Sequence, residues 1–452
     1  MYVACTMPHL PRRPSLFWLL LGLTNAQCGL GGCEDIENPG EDEPAAAAPS
    51  PAAPSPAGTT ARADAPSAAN PQAVPTATAP PPGIVRPTGI LPRPHSVHTA
   101  TLLQDGRVLV VGGQKLPFAD RAQEVGGDVE LYDPASGRFT RARPLARPRA
   151  LHTATLLQDG RVLVTGGEYG GTHILAEAEI QEPKKGRFTA AGRMTVPRQA
   201  HTATLLADGK VLLVGGFGGF GGFGGGEPGQ YLATAELYDP ATGHFAPTGS
   251  LGRRRQLHTA TPLADGRVLV AGGFGPPEGS ENAEPIAAAE LYDPAAGRFV
   301  PTGGLGVARF LHQATRLEDG KVLVTGGAGA GFGALAEAEL YDPAAGTFRA
   351  VGAMGTRRQS HSATLMTGGL VLVTGGATEL TAPASAVATA EWYDPRAERF
   401  SPAGTLKFPR TRHTATRLAT GAVLLLGGHS AVNALGAELF VLEGAPAPLG
   451  TR

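Results

Sequence analysis

The sequence predicts an all-β fold, a seven-bladed β-propeller of four-stranded antiparallel blades, on three observations. First, the stretch His152 to Gly167 recurs in near copies that begin at His98, His152, His201, His258, His312, His361 and His413, each reaching a Gly-Gly pair fourteen residues on. Second, these copies lie about 50 residues apart, a period that suits four short strands and is too long for an array of helical hairpins. Third, Gly83 to Gly89 matches a strand segment that the seventh repeat lacks at its own end. The boundaries that follow are 1–33 for a leader, 34–82 for a tether and 83–452 for the propeller.

Arg12 and Arg13 precede an apolar run from Leu16 to Leu23. That run is too short to cross a bilayer, which takes about 20 residues, and suits a signal peptide. Two endings are open. Thr24-Asn25-Ala26 offers a small-x-small cleavage site, and Leu30-Gly31-Gly32-Cys33 resembles a bacterial lipobox, which would make Cys33 the lipidated mature N-terminus. The chain is therefore expected to be exported, as an envelope lipoprotein or a secreted protein. From Glu34 to Pro82 the composition turns to Ala, Pro, Ser and Thr after an acidic start, too poor in apolar surface to offset the entropy of ordering, so a disordered tether is expected.

Within a repeat, strand A is His-Thr-Ala-Thr-Leu-Leu, whose small and β-branched residues suit a strand crowded near a central axis. Asp-Gly follows in five repeats, at Asp105-Gly106, Asp159-Gly160, Asp208-Gly209, Asp265-Gly266 and Asp319-Gly320, and reads as a two-residue hairpin turn. Strand B, Val-Leu-Val-Thr, is an unbroken apolar and β-branched run expected to be covered on both faces. A connection of variable length leads to strand C, marked Ala-Glu-Leu-Tyr-Asp-Pro in its fullest form. Strand D is anchored by Phe139, Phe188, Phe245, Phe299, Phe348 and Phe400. Pro262, inside one strand A, requires a free edge there, which puts A innermost and D outermost. Because Gly83 to Gly89 matches the strand D segment Arg298 to Gly303, the N-terminal strand is expected to complete blade seven and remove the open sheet edges.

Composition excludes several functions. With 38 Lys and Arg against 39 Asp and Glu, no strong field points to nucleic acid, and the membrane enters only through a lipid on Cys33. All three cysteines lie within the first 33 residues, which leaves no disulfide, zinc site or thiol nucleophile for the repeats. No Gly-x-Ser-x-Gly elbow, His-Glu-x-x-His pair or phosphate loop is present. No cofactor is expected, and a monomer is.

The Gly-Gly after an apolar strand, the downstream Tyr-Asp-Pro at Tyr132, Tyr238, Tyr292, Tyr341 and Tyr393, the aromatic of strand D and the Arg before the next repeat together resemble Kelch repeats. The form with His-Thr-Ala-Thr and Asp-Gly-Arg-Val-Leu-Val is similar to bacterial Kelch proteins and to the propeller domain of galactose oxidase. Departures are Phe for the usual Trp in strand D, Gln181-Glu182-Pro183 in place of Tyr-Asp-Pro, and seven blades rather than six. The galactose-oxidase likeness would imply a copper radical site with a tyrosine cross-linked to a cysteine; with no cysteine after Cys33 that cross-link cannot form.

Antiparallel strands put the variable B-to-C and D-to-A connections on one face, where function is expected. An Arg stands three residues before the His in six repeats: Arg149, Arg198, Arg255, Arg309, Arg358 and Arg410, with His95 in the seventh. Such a ring could bind carboxylate or phosphate, or it could pair with the Glu that opens each strand C, Glu130, Glu179, Glu236, Glu290, Glu339, Glu391 and Glu438. The loop around Phe217, Phe220 and Phe223 could stack on sugar rings or grip a partner, or be a low-complexity expansion. The seven repeated His are expected to cap backbone groups at the start of strand A rather than to hold a metal, which needs several donors on one ion. His173 and His429 fall outside the pattern. The function expected is a binding module for a protein or glycan, with a carbohydrate-active enzyme at the channel mouth as the alternative and a purely structural surface protein as a third reading.

Overall fold

The computed structural model describes residues 81–92, 95–115, 124–170, 173–182, 186–218, 230–380, 383–430 and 436–442. The leader, Cys33, the tether up to residue 80, Phe220 and Phe223 lie outside the described residues.

The described residues form seven four-stranded antiparallel sheets. In six of them the strands run A, B, C, D in chain order; sheet two, for example, consists of Thr153–Leu156, Val162–Thr165, Glu177–Glu182 and Arg187–Arg193. Sheet seven takes Thr414–Arg417, Val423–Leu426 and Gly436–Leu442 from the C-terminal end and its fourth strand from Gly83–Ile90, which pairs antiparallel from Gly83 opposite Leu442 to Ile90 opposite Gly436. Strand A is an edge in every sheet and lies beside strand A of the neighbouring repeats, repeat one beside repeat seven included. Pro262 closes such an edge strand, where its missing N–H costs nothing.

Strand B is buried at all four positions in every sheet, from Val108–Val111 to Val423–Leu426, because a neighbouring sheet covers each face. The core is accordingly a series of clusters between adjacent sheets. Leu206 and Leu212 of repeat three, for instance, pack with Val268, Val270 and Tyr292 of repeat four. The strand D Phe residues are half-buried and pack against these clusters; each lies opposite a strand C residue, and Phe245 tilts against Tyr238 at 4.8 Å between ring centroids. Tyrosine hydroxyls tie one sheet to the last, as Thr248 to Tyr292 at 2.8 Å and, between the N-terminal strand and sheet one, Thr88 to Tyr132 at 2.7 Å.

The Asp-Gly turn differs from the expected two-residue hairpin. Leu157 N–H bonds Arg161 O and Gly160 N–H bonds Leu157 O, so the loop spans Gln158, Asp159 and Gly160, and only the glycine has a positive φ, +86°. Asp159 instead accepts the Arg161 backbone N–H at 3.0 Å, a bond that holds a right-handed turn before the left-handed glycine. The Gly-Gly pair has a steric origin. Gly166 and Gly167 lie at φ +61° and +97°, and a Cβ on Gly166 would stand 2.3 Å from Arg198 O. After these glycines the connections carry short pairings of their own that the sequence does not announce, such as Arg198–Gln199 with Phe217–Gly218 and Gln230–Tyr231.

Candidate functional site

The loop face is built on a bracket repeated around the ring. Six guanidinium groups, those of Arg149, Arg198, Arg255, Arg309, Arg358 and Arg410, are fully buried. In repeat three, Arg198 Nη1 donates to Gly215 O at 2.8 Å and Thr234 O at 3.0 Å, and Nη2 donates to Glu236 Oε1 at 2.7 Å. The other oxygen of Glu236 accepts the Thr195 N–H at 2.7 Å. Each Arg thus ties the incoming D-to-A connection to the end of strand B and to strand C. Arg149, Arg255, Arg309 and Arg358 repeat the pattern with Glu179, Glu290, Glu339 and Glu391, while Arg410 stands 3.3 Å from Glu438. Burial lowers Arg255 to about 10 against the opposing pull of Glu290, so the guanidinium stays charged at neutral pH. In repeat one His95 Nε2 is 3.7 Å from Glu130 Oε1, too far for a hydrogen bond.

The histidines form a second ring. His152 Nε2 meets Thr99 Oγ1 at 3.1 Å, His258 meets Thr202 at 3.0 Å, His312 meets Thr259 at 3.0 Å, and His98 meets Thr414 at 2.9 Å, so each imidazole bonds a hydroxyl of the preceding repeat and repeat one is bonded to repeat seven. The expected backbone cap is thereby corrected. The crowded strand A edges bring a Thr hydroxyl of the neighbouring sheet to the ring nitrogen. Burial, followed by the nearby Arg149, lowers His152 to about 3, which leaves a neutral ring.

One residue before each His the backbone enters the left-handed region: Val97, Leu151, Ala200, Leu257, Leu311, Ser360 and Arg412 have φ between 50° and 56°. These residues are joined by backbone hydrogen bonds from repeat to repeat, including Leu257 N–H to Ala200 O at 3.2 Å, Arg412 N–H to Ser360 O at 3.0 Å and Val97 N–H to Arg412 O at 3.3 Å. The result is a collar, mainly apolar, on the loop side of strand A. Left-handed backbone at a non-glycine residue costs on the order of 1–3 kcal/mol and persists only where the surroundings dictate it; here the bonds around the collar do so. Arg412 supplies the collar's charged side chain, and burial lowers it to about 10.

Beside the collar, five aromatic rings run across repeats three, four and five. Phe217 meets Tyr231 at 5.3 Å, Tyr231 meets Phe274 at 6.1 Å, Phe274 meets Phe310 at 4.9 Å, and Phe332 lies 6.0 Å from Phe274. Leu257 and Leu311 of the collar pack against the same cluster. Phe274 and Phe310 are buried, while Phe217, Tyr231 and Phe332 are half-buried at its surface. Burial raises the Tyr231 hydroxyl to about 12. Of the predicted binding residues, then, the six arginines are held inside the scaffold and Phe217 joins the aromatic cluster. Tyr231, Phe274, Phe310, Phe332 and Arg412 were not anticipated, because they come from five different connections and share no linear spacing; the phenylalanine next to the Gly-Gly exit, as at Phe217 and Phe274, was the one available signal.

No protein-family model and no curated protein sequence matches the chain. Among solved structures, it resembles a fungal alcohol oxidase of the AA5 family in complex with copper, with a TM-score of 0.64 and 20% identity over 80% of this chain and 76% of that one. The fold is therefore a galactose-oxidase-like β-propeller. Among the described residues no three His, Cys, Asp or Glu side chains come together as ligands, and the repeated histidines are turned to hydroxyls around the ring. His173 and His429 lie in separate connections, with burial and then Arg412 lowering His429.

Proposed function

We propose that the chain is a Kelch-type propeller of seven blades, closed by its N-terminal strand, that serves as an exported binding module for a protein or glycan through its loop face. The observation that carries this reading is the aromatic cluster of Phe217, Tyr231, Phe274, Phe310 and Phe332 beside an apolar collar. Rings held by their neighbours lose little entropy on binding and present flat apolar surface with a hydroxyl at the edge, which suits a sugar face or an apolar patch on a protein. An enzyme acting on carbohydrate would instead need converging carboxylates, and the glutamates that open strand C in repeats two to seven are taken up by the arginine brackets.

Screening the protein on a glycan array and in pull-downs, and then measuring the ligand found, tests the proposal. Tyr231→Ala and Phe332→Ala are expected to weaken that ligand roughly tenfold each, or about 1.4 kcal/mol, with unchanged melting. Failure of both screens, or turnover of alcohols or glycosides by the purified protein, would overturn it. Export rests on the apolar run behind Arg12 and Arg13. The mass of the mature N-terminus distinguishes a lipidated Cys33, lost with membrane association in Cys33→Ser, from cleavage near Ala26; an intact leader in the cytoplasm would sink the export reading.

A further inference from the structure

The brackets of repeats two to seven are near copies of one another, which makes the bracket of repeat one informative. In each of the others a guanidinium stands among a glutamate and two backbone carbonyls: Arg198 with Glu236, Gly215 O and Thr234 O, for example. Repeat one keeps this frame without its arginine. Gly112 N–H bonds Asp128 O at 2.9 Å and Val110 lies opposite Glu130, just as Gly215 N–H bonds Thr234 O and Leu213 lies opposite Glu236. Gly112 O, Asp128 O and Glu130 therefore hold the places of Gly215 O, Thr234 O and Glu236, and His95 holds the place of Arg198. A second donor is lost as well. Ala146, Thr195, Gly252, Gly306 and Gly355 each give a backbone N–H to the glutamate of their bracket, and in repeat one that position is Pro92, which has none.

His95 and Glu130 are 0% and 1% exposed, and among the described residues neither ring nitrogen and neither carboxylate oxygen has a hydrogen-bond partner. A buried carboxylate persists only where a proton or a positive charge compensates it. His95 Nε2 and Glu130 Oε1 are 3.7 Å apart, too far to share a proton. The same separation suits two ligands of one ion. An imidazole nitrogen and a carboxylate oxygen, each about 2.0–2.2 Å from zinc, lie roughly 3.3–3.7 Å from one another at tetrahedral to trigonal angles.

We propose that repeat one binds one divalent ion of the zinc class through His95 Nε2 and Glu130, with Gly112 O and Asp128 O completing the set. Two donors come from side chains and two from the backbone, so the site differs from the clusters of three side chains that the described residues lack. The imidazole selects the zinc class over calcium and magnesium, which take oxygen ligands. The ion's role is structural. His95 O accepts the Gly428 N–H of repeat seven at 2.8 Å, so the ion fastens a connection that also bonds the last repeat. None of this depends on the ligand assigned to the loop face.

Equilibrium dialysis of the chelator-washed full chain against Zn2+, with bound metal counted by mass spectrometry, tests the proposal. A single tight equivalent per chain is expected, with a Kd of roughly 1 μM or tighter, and the melting temperature is expected to rise on loading. Ca2+ and Mg2+ at the same concentration are expected not to displace it. His95→Arg rebuilds the bracket of the other repeats; it is expected to lose the tight equivalent and, without metal, to melt above the metal-free parent protein. X-ray absorption of the zinc-loaded parent reads the donors without any variant, and a single imidazole among oxygen donors is expected. Absence of the tight equivalent, its survival in a folded His95→Arg variant, its displacement by Ca2+ or Mg2+, or more than one imidazole around the ion overturns the proposal.

Discussion

A guanidinium with no exposure is tolerable only when its donors are used, and in Arg198 both terminal nitrogens are: two carbonyls, a threonine hydroxyl and a carboxylate surround them. Removing it would leave Glu236 buried beside unbonded carbonyls, and breaking a buried pair in this way costs about 3–5 kcal/mol. Arg198→Ala is accordingly expected to lose that much stability in denaturant titration; a loss under about 1 kcal/mol would be the behaviour of a surface pair and would contradict the bracket. The pairing of Arg with Glu was legible in the sequence because Arg recurs three residues before the repeated His and Glu opens each strand C. The carbonyl acceptors were not, since Gly215 and Thr234 come within reach only once strands B and C are side by side. Repeat one marks the limit of such reasoning: His95 and Glu130 occupy the same frame, yet both stay without a hydrogen bond.

Strand by strand, the sequence foretold most of the architecture, since period-2 runs bounded by Gly and Asp-Gly leave few alternatives for A, B, C and D. It missed the turn type, which depends on whether Asp caps a backbone N–H, and the short pairings in the connections, which are two residues long and carry no periodicity. The N-terminal strand was recognisable only by comparison of Gly83 to Gly89 with Arg298 to Gly303, and Gly83–Ile90 pairs with Gly436–Leu442. Val85 of that strand packs on the cluster formed by Leu425, Trp392 and Phe440, and Thr88 bonds Tyr132 of sheet one. Deleting residues 83 to 90 is therefore expected to lower the melting temperature by roughly 10 °C or more, as followed by calorimetry. An unchanged value would mean that sheet seven is stable with three strands.

The whole ring carries seven buried imidazoles, and that gives the molecule a collective response to pH. Burial lowers His98, His152 and His312 to about 3 and places His201, His258, His361 and His413 well below their ordinary value. The folded values are depressed, so the unfolded chain binds more protons. The stabilisation is complete above the unfolded value near 6.5 and is lost as pH falls toward the folded values. Each ring contributes about 1.4 kcal/mol per pH unit within that window, and the urea midpoint is expected to fall steeply between pH 6.5 and 4, with proton uptake on unfolding of several equivalents. A midpoint flat across that range would show that the rings are accessible to protons in the folded state. The same ring imposes an order in time on the protein's own making. The strand Gly83–Ile90 is translated before the other strands, and its partner Gly436–Leu442 long after it. At a synthesis rate of about 5–20 residues per second, the roughly 350 residues between them take on the order of 20–70 s. For that interval six repeats can assemble on one another while the first strand waits for the strand it pairs with.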